Sequence, residues 1–590
     1  MIYYDEHPEE LTSEHWEKIK SILNKMKIKN EIPPEVPPNT FVALDIEMFG
    51  MDKKRLHRPT TGKLACLTLC HDLDTVYYTT KEAEIPAFLS KIKDCIWVFH
   101  NAKFDIMQLR RWATIPPRTK LWDTMLIEQN LWSGYYDGFK LSDLVRRYLN
   151  RVLDKSLQKE FANATELTPE LLEYSVADTP ATLEVCIAQQ KIVTNKHWKI
   201  YHQVDFPAIW AVLDFKGFPI DTDQWTSLAH INKLHADTIK EEMVKEYGIA
   251  YSQFAKLKAL LKTKGYPSRL PDANALTLAE YITKFPDTEA TKIAKISIEG
   301  RKYAKRASTY GLNFLKSVAE TDPQTDISYV YGDYWISEAS TGRMSCKGGV
   351  HSIPKRDTLE FRKCFIASPN NKLIIVDYSQ QEVGIAAFLS QDKALIKAVN
   401  SDKSVYVELA KEVFGKDITK DDPLYDDMKS VILGADYGMS KFGMAKKLGV
   451  SDDEAEKLLV TFFKKFPDFD KYMLRQEKKK KYVETVWGRK FWLNQYSNQC
   501  PRNARNSPIQ GTAADMIKIA LSSIHKEWKW NIPYDVCGIF HDELVLDTSE
   551  NLVDDVGVFV SQKMIEAGTM ICPGIRFRAD YVIADNWAKL

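Results

Sequence analysis

Leu373–Ser379 reads LIIVDYS and runs straight into QQEVGIAAFLS. The apolar, β-branched run ends in an acid, Asp377, and a helical pattern follows. The spacing therefore predicts a buried strand with a carboxylate at its C-terminal end. A second acid of this kind lies far downstream. In Val536–Leu546, VCGIFHDELVL, two apolar runs flank His541-Asp542-Glu543, which reads as a hairpin with polar residues at or near its tip. Asp377 and Asp542 are expected to meet in space and to hold two divalent cations. Two such ions about 3.5–4 Å apart clamp the attacking and leaving oxygens of a phosphoryl transfer.

A chain of 590 residues exceeds one domain. Its hydrophobic share of 44% and charged share of 27% are ordinary for a globular protein. The net charge of +1 gives no sign of a nucleic-acid partner, so any DNA-binding field has to come from local clusters. Nine cysteines are scattered; only Cys66 and Cys70 lie close together, with no second pair to complete a zinc site. They read as reduced intracellular thiols. The opening MIYYDEHPEELTSEHWEKIK is acidic and carries neither a signal-peptide core nor a basic transit pattern. No apolar run approaches the roughly 20 residues that span a bilayer.

Residues 1–27 follow an amphipathic helical pattern with Trp16, Ile19, Ile22 and Leu23 on one face, and Ile32–Pro38 (IPPEVPP) reads as a linker. Phe41–Glu47 (FVALDIE) is a strand that puts Asp45 and Glu47 on the same side. Ile96–His100 (IWVFH) is a second buried strand, leading to Asn101, Phe104 and Asp105. Leu171–Asp178 (LLEYSVAD) has helical spacing, with Tyr174 and Asp178 on one face. Read singly, Asp45 fits a strand-end cap and Asp178 a solvated helix acid. Read together, four acids in three apolar settings fit a metal site. The order D-x-E, N-x-x-F-D, Y-x-x-x-D resembles the three motifs of the DEDD 3′→5′ exonucleases, in the subgroup whose third motif carries a tyrosine. That resemblance implies an RNase H-like α/β fold. In it Asp45, Glu47, Asp105 and Asp178 bind two metal ions and Tyr174 orients the attacking water.

Residues 201–340 are mainly helical by pattern, entered through Gly217–Asp221 (GFPID). Lysines are dense at Lys256–Lys264 and Lys292–Arg306, which fits solvated helix faces or phosphate contacts along a duplex. Thr341-Gly342-Arg343-Met344-Ser345 then precedes Ile353-Pro354, Arg362, Phe365 and the Asp377 strand. This order resembles family A DNA polymerases. The resemblance implies that Arg343 and Arg362 contact primer-template and that Asp377-Tyr378-Ser379-Gln380-Gln381-Glu382 is motif A. Gln380 then lines the nucleotide site, and Glu382 crowds a ribose 2′-hydroxyl. Asp427–Ser440 (DMKSVILGADYGMS) places Lys429, Leu433 and Tyr437 on one helix face; by resemblance this face closes over the incoming nucleotide, with Lys429 neutralising triphosphate charge. The chain departs from the family twice there: Tyr425 stands where an arginine is usual, and Leu433 replaces an aromatic. Arg502, Asn506 and Gln510 recur every four residues, and the family likeness points them at the minor groove, where acceptors recur on all base pairs. His541-Asp542-Glu543 completes the set as motif C, with His541 at the primer end and Glu543 assisting the metal acids.

The two resemblances imply an α/β multidomain chain: a helix and linker at 1–40, an exonuclease domain at 41–200, and a right-hand polymerase domain at 201–590. Within the last, the thumb spans about 230–325, the palm about 326–385 and 500–590, and the fingers about 386–499. They imply two Mg2+ ions in each site, with Mn2+ as a substitute, and primer-template DNA and dNTPs as ligands. They also imply replisome proteins (helicase, single-strand binding protein, processivity factor) as partners, a monomer, and a cytoplasmic location without membrane contact. The extent of the chain, with no room for a 5′-nuclease domain, resembles bacteriophage replicative enzymes, which act in the host cytoplasm. The altered motif B leaves open a modified base such as 2-aminoadenine. A single-subunit RNA polymerase shares a similar palm, but Glu382 and the attached nuclease argue against it.

Overall fold

The alternation in Phe41–Phe49 buries Val42, Leu44, Ile46 and Met48 and turns Asp45 and Glu47, both half-buried, to the opposite face. This strand is central to the first sheet of the computed structural model, which describes residues 26–51, 62–267, 272–347, 350–353, 359–414, 416–419, 422–436, 438–531, 533–540 and 542–589. The expected N-terminal helix lies outside the described residues. The sheet has six strands: β1 (Lys27–Lys29), β2 (Phe41–Phe49), β3 (Lys63–Cys70), β4 (Thr75–Thr79), β5 (Ile96–Phe99) and β6 (Leu121–Asp123). Their order is β1-β4-β3-β2-β5-β6. β3 runs antiparallel to both neighbours, whereas β5 and β6 continue parallel to β2. The sheet thus reaches back past residue 41, because Lys27–Lys29 pairs with Thr75–Tyr77. Helix α1 (Ala102–Leu109) follows β5 through Asn101 at φ 71°, and α2 (Pro169–Gln190) starts from a Thr168 cap on the Leu171 amide.

The second functional sheet begins with β7 (Asn371–Ser379). Gln380, at φ 60°, turns it into α3 (Gln381–Ser390). Beyond α4 (Pro423–Asp436) come a small hairpin, β8 (Tyr482–Glu484) and β9 (Lys490–Trp492), and the long helix α5 (Cys500–Asn531). The predicted hairpin then appears as β10 (Asp535–Phe540) and β11 (Glu543–Ser549), pairing Phe540 with Glu543; β12 (Arg578–Ala584) closes the sheet. The order is β10-β11-β7-β12, so the Asp377 strand lies directly beside the strand that starts at Glu543.

The chain forms two compact units. One comprises residues 1–216, 333–347 and 374–583; the other comprises 217–332, 348–373 and 584–590. In the first, one continuous apolar core runs from Val36 to Ala579, through both sheets. The second is built on helices Thr222–Tyr247 and Glu289–Thr309, with a separate core around Met243, Leu257 and Ile293. Among the described residues no helix is long and apolar enough to cross a membrane.

Four buried charges lie inside the first unit, on Asp205, on Arg489 just before β9, and on Asp515 and Lys518 of α5. Arg489 donates from Nη2 and Nη1 to the two oxygens of Asp205, at 2.8 and 3.0 Å, and from Nε to Asp515 at 2.8 Å. Lys518 donates to Asp205 at 2.7 Å and to Ser337 at 2.8 Å. Burial alone would push Asp205 up, but Arg489 and Lys518 outweigh it and hold the carboxyl below its ordinary value. Burial brings Lys518 down to about 8, with Asp205 pulling it back. The β9 Trp492 stacks on Trp132, the last residue of the helix Thr124–Trp132, at 5.3 Å and donates from its ring to the Leu131 carbonyl at 2.8 Å.

Candidate active sites

Strand alternation brings Asp45 and Glu47 to one face of β2, and the helical spacing of α2 brings Asp178 over them. Carboxylate oxygens of the three lie within 4.8 Å of one another. Asp178 is 4% exposed. Burial and the charge of Asp178 push Asp45 up to about 7, with Lys155 pulling it back. Glu47 is raised well above its ordinary value by burial and by Asp45 and Asp178. Asp105, on α1, stands behind the three. Its Oδ1 accepts the Ile46 amide at 3.2 Å, and burial together with the Asp45 charge raises it as well.

Lys155 is the residue that sequence reasoning missed. Its ammonium bonds the Asp178 carboxylate at Oδ2 and the Tyr174 hydroxyl, the latter at 3.0 Å. One lysine in a short turn carries no local signal. Asp45 Oδ2 and Asp178 Oδ1 are buried and have no hydrogen-bond partner among the described residues. Orphaned carboxylate oxygens in an all-oxygen cluster fit a hard divalent cation such as Mg2+ or Mn2+. A buried acid with a purely structural task looks different. Asp123 is 1% exposed, but accepts four backbone amides, from Asn101, Ala102, Met125 and Leu126.

In the second sheet, Asp377 is half-buried on β7, and Glu543, 1% exposed, opens the neighbouring β11 immediately after Asp542. Glu382, in the first turn of α3, accepts a bond from Arg343 Nη2 at 2.6 Å. Gln380 donates to Ser404 at 2.8 Å, and Ser404 lies 3.3 Å from the Tyr425 hydroxyl. The tyrosine in place of the expected arginine is thus joined through Ser404 to Gln380, and it packs edge-on against Tyr406.

The structure places Lys429 exposed on α4. The Leu433 side chain, Tyr437, Pro354 and His541 lie outside the described residues. Arg502, Asn506 and Gln510 share α5; Arg502 is exposed, the other two are half-buried, and Asn506 Oδ1 has no hydrogen-bond partner. Arg362 departs from its expected role at the duplex. It is 7% exposed, donates to the Ile353 carbonyl at 3.0 Å, and lies 3.8 Å from the ring centroid of Trp587. The chain's return near its C-terminus, which local sequence does not announce, covers this arginine.

Known proteins resemble this chain along most of its length. Residues 233–589 match the family description "DNA polymerase family A", and residues 16–194 match "3′-5′ exonuclease". The chain is 28% identical to DNA polymerase I of Aquifex aeolicus, over 83% of this chain and 88% of that protein. It is 27% identical to DNA polymerase I of Pseudomonas aeruginosa, over 92% of this chain but 63% of the longer relative. A similar solved structure is the POL domain of Pol1 from M. smegmatis in complex with DNA primer-template and dNTP. Its TM-score is 0.80 at 20% identity, over 95% of this chain and 100% of that one, which shows a shared fold. The chain belongs to DNA polymerase family A and is a DNA-directed DNA polymerase that carries a 3′-5′ exonuclease domain.

Proposed function

We propose that the chain extends a DNA primer from dNTPs at the Asp377 strand and removes mispaired 3′ nucleotides at the Asp45 cluster. The observation that carries this reading is the pairing of a charge-deficient carboxylate cluster in the nuclease sheet with a second acidic strand junction in the polymerase sheet. Divalent cations, when bound at either site, supply the Lewis acid that activates an oxygen nucleophile and neutralises the leaving group. Asp377 and Asp542 are the polymerase ligands in this reading, with Glu543 supporting them. Asp45, Glu47, Asp105 and Asp178 are the nuclease ligands, and Tyr174 orients the attacking water. Glu382, held by Arg343, excludes a 2′-hydroxyl by occupying its volume. Lys429 answers triphosphate charge; Arg502, Asn506 and Gln510 reach base edges in the minor groove.

A primed-template assay tests the assignment with dNTPs, with rNTPs and with no nucleotide. Asp542→Ala abolishes extension and spares shortening, and Asp45→Ala does the reverse. Loss of both activities in either variant, or of neither, refutes the division of labour. The finer expectation, tolerance for 2-aminoadenine, rests on the altered motif B around Tyr425. Comparing incorporation of dATP and its 2-amino analogue opposite T tests that tolerance.

A further inference from the structure

Lys155 begins the 3-10 turn Ser156–Ala162, outside the motif that carries Tyr174 and Asp178. Its ammonium nevertheless reaches both: it bonds Asp178 Oδ2, donates to the Tyr174 oxygen at 3.0 Å, and lies 4.9 Å from the Tyr174 ring centroid. The lysine side chain is 25% exposed and that of Asp178 is 5% exposed, so the contact is sheltered from solvent. The consequences are geometric. A phenol has one O–H and accepts through its lone pairs. With Lys155 donating to the oxygen, the Tyr174 proton has to point away from the lysine. With Oδ2 of Asp178 taken up by the same ammonium, the carboxylate cannot spin freely, and Oδ1 is the atom left orphaned beside Asp45 Oδ2.

We propose that Lys155 is a positioning residue of the exonuclease, which fixes the Tyr174 hydroxyl and the Asp178 carboxylate in the orientation the trimming reaction uses. It acts through Tyr174 and Asp178, the two side chains that its ammonium bonds. The inference rests on the nuclease reading above. The alternative is a plain counter-ion, which lowers the repulsion among the carboxylates without orienting anything. The two differ in what happens when Tyr174 is already altered.

The full chain tests this with K155M, K155R, Y174F and the double variant K155M/Y174F. Primer extension by the same preparations controls for folding, since Lys155 lies outside the polymerase site. K155M is expected to slow single-turnover trimming of a single-stranded primer about 10- to 100-fold, the range for partners that orient ligating or reacting groups. Primer affinity and extension stay within about twofold. K155R, which keeps a donor, recovers most of the rate. The double variant is slower than Y174F by clearly less than the factor that K155M costs alone, because the two changes share the Tyr174 linkage and only the Asp178 bond is lost in addition. A readout independent of turnover is the 19F signal of fluorotyrosine placed at position 174 in the metal-free chain, which shifts in K155M and returns in K155R. The proposal is overturned if K155M trims at the normal rate, if the two losses multiply, or if the 19F signal does not move. Retention of trimming by Asp45→Ala would instead remove the nuclease reading itself, so the two failures are told apart.

Discussion

At Arg489 two buried cations face two buried carboxylates; at Asp45 three clustered carboxylates share the ammonium of Lys155. Both groups lie in the same unit of the fold. In the first, the Asp205 oxygens are answered by protein donors, and its carboxyl is held down. In the second, the acids are pushed up and two oxygens have no partner. Burying charge is tolerable when the partners are complete and expensive when they are not. The balanced group is finished by folding. The unbalanced group is left short of positive charge, which is what a site for divalent cations requires.

The sharpest way to break the comparison is to unbalance the balanced group. Arg489→Met leaves Asp205 with the Lys518 ammonium and the Ser337 hydroxyl, takes the Nε donor from Asp515, and is expected to destabilise the chain by about 3–5 kcal/mol. Thermal unfolding reads this, and trimming and extension should fall together. The converse change relieves the unbalanced group: Asp45→Asn should abolish trimming yet stabilise the metal-free chain near pH 8, by about 1–3 kcal/mol, by removing a poorly answered buried charge. A melt in chelator checks it; a loss of stability would sink the contrast.

A third test is pH. The Asp45 carboxyl is raised in the folded chain to about 7 from an ordinary 3.8, so the folded state binds the proton more tightly. Its destabilising effect is absent at pH values below about 3.8, grows as pH rises, and is complete above about 7. Stabilisation by added Mg2+ should therefore increase between about pH 5 and pH 8, measured as the melting shift against chelator. The smallest effect is the control. Arg576 and Asp402 pair at 2.6 Å, with side chains 57% and 90% exposed. Arg576→Ala should change stability by less than about 1 kcal/mol, which isolates burial, rather than pairing, as the variable.

The grouping of Asp45, Glu47 and Asp178 was legible because each residue sits on an element with a clear period of its own, whereas Asp105 entered only through the motif order. Alternation in FVALDIE and helical spacing in LLEYSVAD fix which way the side chains face before any tertiary contact forms. The same holds for the Asp377 strand and the Asp542 hairpin. Asp205 and Arg489, by contrast, are 284 residues apart, and Asp205 and Lys518 are 313 apart. No local pattern marks either pairing. The burial of Arg362 was hidden for the same reason, since the Trp587 that covers it arrives from near the C-terminus.

The Asp205 linkage bears on how such an enzyme is re-engineered. A truncation that removes the nuclease and runs on past residue 205, to obtain a proofreading-free tool, would also discard the carboxylate that receives Arg489 and Lys518. The remaining catalytic body would keep both cations in its interior opposite one aspartate. Silencing the nuclease by point substitution leaves that interior intact, so the trimming domain is better disarmed than amputated.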